Sequence, residues 1–312
     1  MVPANETFNN TFPFKANFFE GQGFKMHYVD EGEGEVIICL HGQPTWSYLY
    51  RKFIPTLSQD YRVIAPDHMG YGKSETPKDK PYTFQQHVEN LAALIESLGL
   101  EDITIVCQDW GGPIAAAYSI RFPEKVKRLF LMNTMMGYGI AVQDVPQSDP
   151  PPPSLMDSAW FQWVNNRVAD GTYHDIMKHL GHHVVSNMKK LYFHDSSVIT
   201  PDWIDAYSRP FPTEEETIAA VEFPLDAAQN RIKDYVIEGL KTGNLEKLRA
   251  IPAMLAEGMA DKAMPPAMVI DDFRRLWPGR PIVKLENVGH FCQEDAPKTL
   301  VALIQLFMQT MP

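Results

Sequence analysis

The sequence predicts an α/β fold: a mostly parallel sheet with helices on both faces, interrupted by an inserted helical cap. Three observations carry that expectation. Short buried β-runs alternate with amphipathic stretches of helical period, the pattern of a parallel sheet covered on both faces. The alternation stops after Met132 and resumes near Ile251. The interval contains the proline run Pro150 to Pro153 and, from 138 to 226, no convincing strand, which marks an insertion of helices. The core is therefore expected in two pieces, 1–137 and 227–312, around a cap at 138–226.

Taken in order, Phe14 to Glu20 and Phe24 to Glu31 read as two antiparallel strands, followed by the internal strand Val36 to Leu40. Tyr61 to Ala65 reads as a strand, and Phe84 to Leu98 as a helix through the spacing of Val88, Leu91, Leu94, Ile95 and Leu98. Ile103 to Cys107 is again a strand, Pro113 to Arg121 a helix and Val126 to Met132 a strand. After the insertion come a strand at Ile251 to Glu257, a helix around Ala267 to Leu276, a strand at Pro281 to Glu286 and a final helix at Pro297 to Met308.

Composition narrows the function. The chain has 312 residues, 45% of them hydrophobic and 21% charged, which is globular rather than disordered. A chain of this size buries roughly 75% of its unfolded surface and needs no staples. Lys and Arg number 28 against 39 Asp and Glu, so nucleic acid and anionic membrane surfaces are not expected partners. Cys39, Cys107 and Cys292 form neither a disulfide framework nor a zinc pattern. The N-terminal residues have no basic n-region or apolar h-region, so no signal peptide is read and a cytoplasmic location is expected. No apolar run approaches the ~18 residues of a membrane span.

In an open parallel sheet, function sits at the carboxyl ends of the strands. The strand ending at Cys107 runs through Gln108-Asp109-Trp110-Gly111-Gly112 into a helix, the pattern of a nucleophile elbow with Asp where ester hydrolases carry Ser. The following helix N-terminus favours an anionic Asp109. His290 follows a late strand, at Asn287-Val288-Gly289-His290, as the base should in the chain order nucleophile, acid, His. Asp261, just past the preceding strand, is the carboxylate to orient its imidazole; the alternative strand end offers Asn133, which is not an acid. His41-Gly42-Gln43-Pro44 closes the third strand end, where the N–H of Gln43 is one oxyanion donor and that of Trp110 the other.

The segments His41 to Arg51, Pro66 to Ser74, Gln108 to Gly112 and Gly289 to Phe291, with Pro210-Phe211-Pro212 in the cap, resemble the haloalkane dehalogenases of the α/β-hydrolase fold. The resemblance runs from about residue 20 to the C-terminus. It implies that Asp109 accepts the alkyl group, that the Trp110 indole N–H binds the leaving halide, and that a second donor comes from Asn after His-Gly or from a cap Trp. Here Gln43 stands at the first place, a departure. For the second, Trp160-Phe161-Gln162-Trp163 resembles the branch with two Trp donors, Trp163 being the choice and Trp160 the alternative. The substrates implied are a small halogenated hydrocarbon and water, the product a halide ion, with no cofactor, no metal and a monomer or weak homo-oligomer.

Other readings share these residues. An epoxide hydrolase would use the same Asp109, His290 and Asp261 with cap tyrosines to protonate the epoxide oxygen, and Tyr173, Tyr192 and Tyr207 are candidates. A β-lactone decarboxylase of the same superfamily and a non-catalytic ligand receptor are further alternatives. His174, His179, His182 and His183 read as a polar helix face rather than a metal site, and Glu214 to Glu216 as a solvated helix start. Met135, Met136 and Tyr138 are candidates for the cavity wall, while Trp46, Trp203 and Trp277 are expected to pack.

Overall fold

The computed structural model describes residues 1–136, 151–191, 196–229, 231–241 and 244–311. Eight strands form one sheet: β1 (Asn17–Phe19), β2 (Met26–Glu31), β3 (Val36–Leu40), β4 (Arg62–Pro66), β5 (Ile103–Gln108), β6 (Val126–Met132), β7 (Ala253–Gly258) and β8 (Ile282–Leu285). Their order is β1-β2-β4-β3-β5-β6-β7-β8. β1–β2 and β2–β4 are antiparallel pairs, and every pair from β4 to β8 is parallel. The centre is β5, apolar along most of its length and buried throughout because both its faces are covered.

The helices are α1 (Ile54–Leu57), α2 (Phe84–Ser97), α3 (Gly111–Arg121), α4 (Ala159–Ala169), α5 (Tyr173–Met177), α6 (Leu180–Leu191), α7 (Pro201–Ser208), α8 (Ile218–Ala228), α9 (Arg231–Leu240), α10 (Leu245–Ala250), α11 (Pro266–Leu276), α12 (Cys292–Asp295) and α13 (Pro297–Thr310). α2 begins at Thr83, whose side chain accepts the Gln86 N–H, and it buries the Val88, Leu91, Leu94 and Ile95 face that its periodicity announces. The expected strands and long helices lie within a few residues of those observed. Short α1, α10 and α12 carry too few turns for a period to register. The expected insertion start at 138 lies outside the described residues, and its expected end at 226 falls inside α8. Among the described residues no helix is long and apolar enough to cross a membrane.

Strand order positions the site. The chain passes from β3 outward to β4, then returns to the other flank of β3 as β5. That reversal opens a crevice at the carboxyl ends of β3 and β5, where the loop at His41 meets the turn at Asp109. Asp67, buried at the end of β4, ties down the neighbouring loop: its carboxylate accepts N–H groups of Ser47 and Lys73, each at 2.8 Å, and pairs with His27 at 2.8 Å.

A second buried carboxylate joins the sheet domain to the helices above it. Glu294, on α12, accepts from Arg51 at 2.6 and 3.0 Å, Lys52 at 2.9 Å, the Trp203 indole at 3.1 Å and the Tyr207 hydroxyl at 3.0 Å. Burial alone would push its carboxyl pKa up, but Arg51 and Lys52 hold it below the usual range. Both Trp203 and Tyr207 belong to α7, so one anion fastens a covering helix to the chain just after His290. Removing it strands the buried Arg51 cation and two hydrogen-bond donors. Glu294→Ala is therefore expected to destabilise by about 3–5 kcal/mol in denaturant unfolding. Glu246→Ala, at an exposed surface pair, is expected to leave the midpoint where it was.

Candidate active site

The turn between β5 and α3 holds Asp109 in the left-handed region, at φ 51°. That conformation is costly for most side chains and tolerable for Asp. The neighbours secure it: the Asp109 N–H donates to the Asn133 carbonyl at 3.2 Å, while the Asp109 carbonyl accepts from Gly112 N at 3.0 Å and from the Thr134 hydroxyl at 2.5 Å. Two glycines are required by close approach. A Cβ on Gly42 would stand 2.2 Å from Asp109 Oδ1, and one on Gly112 would stand 1.9 Å from Thr134 Oγ1. The small residues in the His-Gly and Asp-Trp-Gly-Gly segments exist to let these loops meet.

The carboxylate so presented has distinct environments at its two oxygens. Oδ1 accepts the Gln43 backbone N–H at 2.6 Å, and Oδ2 lies 3.3 Å from His290 Nε2. His290 Nδ1 lies 2.8 Å from Asp261 Oδ2. Asp261 is buried and its remaining capacity is filled by the N–H groups of Ala263 (2.7 Å) and Met264 (3.0 Å) and by the Asn133 side-chain amide (2.9 Å). The structure thus brings Asp109, His290 and Asp261 into one line, from strand ends far apart in sequence.

Three participants were not anticipated from the sequence. Asn133, set aside there for not being an acid, donates to Asp261 and accepts the Gly258 N–H at 3.1 Å, clamping the end of β7. Gln108 donates its amide to the His290 carbonyl at 3.1 Å and holds the same nitrogen 3.1 Å from the ring's Nε2. Glu257 is buried with neither carboxyl oxygen hydrogen-bonded; burial, reinforced by the Asp261 charge, pushes its pKa well above the carboxylate range and favours the neutral form. A residue-type signal existed only for Glu257, a lone acid inside an apolar strand.

The cavity facing Asp109 is walled by Trp110, Pro113, Met135, Leu155, Trp160, Phe161, Ile232 and Met264, with Gln43 and Thr134 as polar neighbours of the carboxylate. Trp110 stacks on Phe223 of α8, with centroids 4.8 Å apart and planes at 10°. Trp160 lines this cavity and Trp163 does not. Both sit on one face of α4; Trp163 stacks behind Trp160 at 5.4 Å and turns toward Tyr173 at 6.2 Å. Met136 is buried away from the wall. Tyr138 lies outside the described residues.

Other candidates are committed elsewhere. The Tyr173 hydroxyl donates to the Val221 carbonyl at 3.0 Å and that of Tyr207 to Glu294; Tyr192 lies outside the described residues. The Trp46 indole donates to Ala206 O at 2.8 Å, and Trp203 and Trp277 are buried. Gln43's amide is engaged at both ends, accepting from the Tyr71 hydroxyl at 2.7 Å and donating to Ala220 O at 3.0 Å. Among the described residues no cluster of His, Cys, Asp and Glu is arranged to hold a metal.

Burial by itself would push the His290 pKa down, but the carboxylates of Asp261 and Asp109 on its two sides outweigh it and push it up to about 10. Raised in the folded state from an ordinary value near 6.5, this imidazolium contributes stability that is complete below that value and lost as pH rises through about 10. Asp109→Asn removes one of the two anions. The His290 ring resonances in a proton NMR titration should remain those of the cation through pH 8 in the parent and titrate at lower pH in the variant. Identical curves would contradict this electrostatic assignment.

Comparison with known proteins places this geometry in context. A family model described as the alpha/beta hydrolase fold matches residues 35–297. A cis-3-alkyl-4-alkyloxetan-2-one decarboxylase of Shewanella oneidensis is 29% identical over 300 residues, covering 95% of this chain and 89% of the relative. Haloalkane dehalogenase 2 of Mycobacterium tuberculosis is 29% identical over 298 residues, with 94% of each chain covered. Among solved structures, the tetrameric haloalkane dehalogenase DpaA from Paraglaciecola agarilytica superposes with a TM-score of 0.73 at 27% identity, covering 94% of this chain and 92% of the other. A loop variant of the haloalkane dehalogenase DbeA from Bradyrhizobium elkanii gives 0.76 at 22% identity, covering 96% and 97%, and shares the fold.

Proposed function

This chain belongs to the alpha/beta hydrolase fold family, and we propose that within it the protein is a haloalkane dehalogenase working through an alkyl ester on Asp109. The observation that carries the reading is a carboxylate, not a hydroxyl, at the turn after β5, hydrogen-bonded on Oδ1 and open to an apolar, tryptophan-walled cavity. The division of labour follows from chemistry. Asp109 Oδ2 attacks the halogen-bearing carbon in line, the carbon–halogen bond breaks, and the bonding pair leaves on the halide. Charge grows on the halogen, so the useful partners are N–H donors in a water-poor pocket. Indoles donate without accepting; Trp110 is proposed as the first donor and Trp160 as the second. Helices α4 to α8 act as the cap that shapes the pocket.

Esterification also changes the base. Once Asp109 is an ester, His290 loses one of the two anions that favour its protonated form, its pKa falls, and its proton passes to solvent. The neutral ring then takes a proton from water, which attacks Asp109 Cγ. Oδ1 becomes the oxyanion, facing the Gln43 N–H that already bonds it and, in this proposal, the N–H of Trp110. Asp261 holds the tautomer and stabilises the imidazolium as it reforms. Collapse expels the alkoxide, which takes the remaining proton of the added hydroxyl and leaves as the alcohol, restoring the Asp109 carboxylate beside the His290 imidazolium.

The 29% identity to the Shewanella relative supports a second reading, a β-lactone substrate. The same carboxylate would open the four-membered ring at its C–O carbon, leaving the lactone's own carboxylate where a halide would sit. The epoxide reading is weakened by the occupied hydroxyls of Tyr173 and Tyr207.

Halide release from 1,2-dibromoethane and 1-bromobutane, run beside consumption of a cis-dialkyl oxetanone and of styrene oxide, separates the three. The expected outcome is bromide release and no styrene diol. His290→Phe should stop turnover and accumulate protein heavier by one alkyl group on the peptide containing Asp109; an unmodified variant after incubation with 1-bromobutane would sink the ester mechanism. Bromide should also quench tryptophan fluorescence less in Trp160→Phe than in Trp163→Phe, and the reverse order would return the second donor to Trp163.

A further inference from the structure

We propose that the Gln43 side chain is a positioning residue that fixes helix α8 over Asp109 by filling a backbone carbonyl that Pro224 leaves without its helical donor. Pro224 lies inside α8. It has no N–H to offer the carbonyl one turn earlier, that of Ala220, and its ring crowds that carbonyl out of the helical ladder. A buried carbonyl without a partner is costly. The Gln43 amide nitrogen supplies the missing donor at 3.0 Å. Its oxygen accepts from Tyr71 at 2.7 Å, so the amide spans the distance between the loop carrying Tyr71 and the covering helix.

The strut bears on the reacting groups from both ends. The backbone N–H of Gln43 holds Asp109 Oδ1. At the other end, Phe223 precedes Pro224 and stacks on the Trp110 ring, while Tyr71 stacks on Phe223 at 5.6 Å. The turn before Pro224 is braced again by the Tyr173 hydroxyl on the Val221 carbonyl. One side chain therefore sets the spacing between the carboxylate and the helix that seats the indole beside it. This accounts for Gln at this position: an Asn amide is one methylene too short to reach Ala220 while keeping Tyr71. It also commits one of the two Gln43 amide N–H groups to the protein.

The strut stands without the dehalogenase reading, whereas its kinetic consequence rests on it, so the test has two arms. Gln43→Met preserves length and volume and removes both amide bonds; Gln43→Asn is the conservative alternative that keeps an amide; Pro224→Ala returns a helical N–H to Ala220. The first arm follows the Trp110 indole N–H resonance in nitrogen-labelled protein, assigned by its loss in Trp110→Phe. Gln43→Met, Gln43→Asn and Pro224→Ala should each displace it. In the second arm, kcat for 1-bromobutane should fall about 10- to 100-fold in Gln43→Met, with KM changing less. Gln43→Met should then cost less in the Pro224→Ala background than alone, because both changes act on one carbonyl. An unmoved indole resonance in Gln43→Met or Gln43→Asn overturns the proposal, as do fully independent effects of Gln43→Met and Pro224→Ala. Absence of bromide release in the parent would count against the proposed reaction and leave the resonance arm to judge the strut.

Discussion

Everything at this site follows from a carboxylate fixed in one place and one orientation. Asp109 sits in left-handed backbone at a strand-to-helix turn, with one oxygen on the Gln43 N–H and the other facing His290. Such a conformation persists only where the surroundings over-determine it. Here they do: glycines at 42 and 112 clear the space, Thr134 and Asn133 anchor the turn, and the β4-β3-β5 strand order brings the two loops together. The burial of β5 on both faces makes that turn a rigid platform.

From that placement the electrostatics follow. An imidazole between two carboxylates in a buried site is a cation at rest, and it can serve as a base only when one of those anions is neutralised. In the proposed reaction, forming the ester does this, so the first chemical step prepares the second. Burial and the Asp261 charge both disfavour a third anion at Glu257. The apolar wall matters for the same reason, since water admitted freely would weaken each of these interactions. The helices above are tied to the sheet domain by a few strong buried polar contacts, Glu294 on one side and Gln43 on the other.

Much of this arrangement could be read from the chain. Asp109, His290 and Asp261 stand at strand ends in a chain order that has few uses, and glycines mark the close approaches. What could not be read depended on direction or on distant partners. Trp160 and Trp163 lie one turn apart on α4, and which of them reaches the cavity is set by how that helix rotates against α5 and α8, not by the local pattern. Asn133 and Gln108 look like ordinary strand-end residues until β7 and the His290 loop are folded onto them. Gln43 was visible as a departure from the expected Asn, but its partner Ala220 is remote in sequence and became an acceptor only because of a proline in a helix.

In the proposed reaction the oxygen delivered to the product comes from Asp109, and water attacks the enzyme's own ester. A single turnover of 1-bromobutane by excess protein in ¹⁸O-water tests it directly. Unlabelled butanol is expected in that first turnover, with ¹⁸O in the peptide containing Asp109. Labelled butanol with an unlabelled Asp109 peptide would mean that water attacks the substrate carbon, and would contradict it.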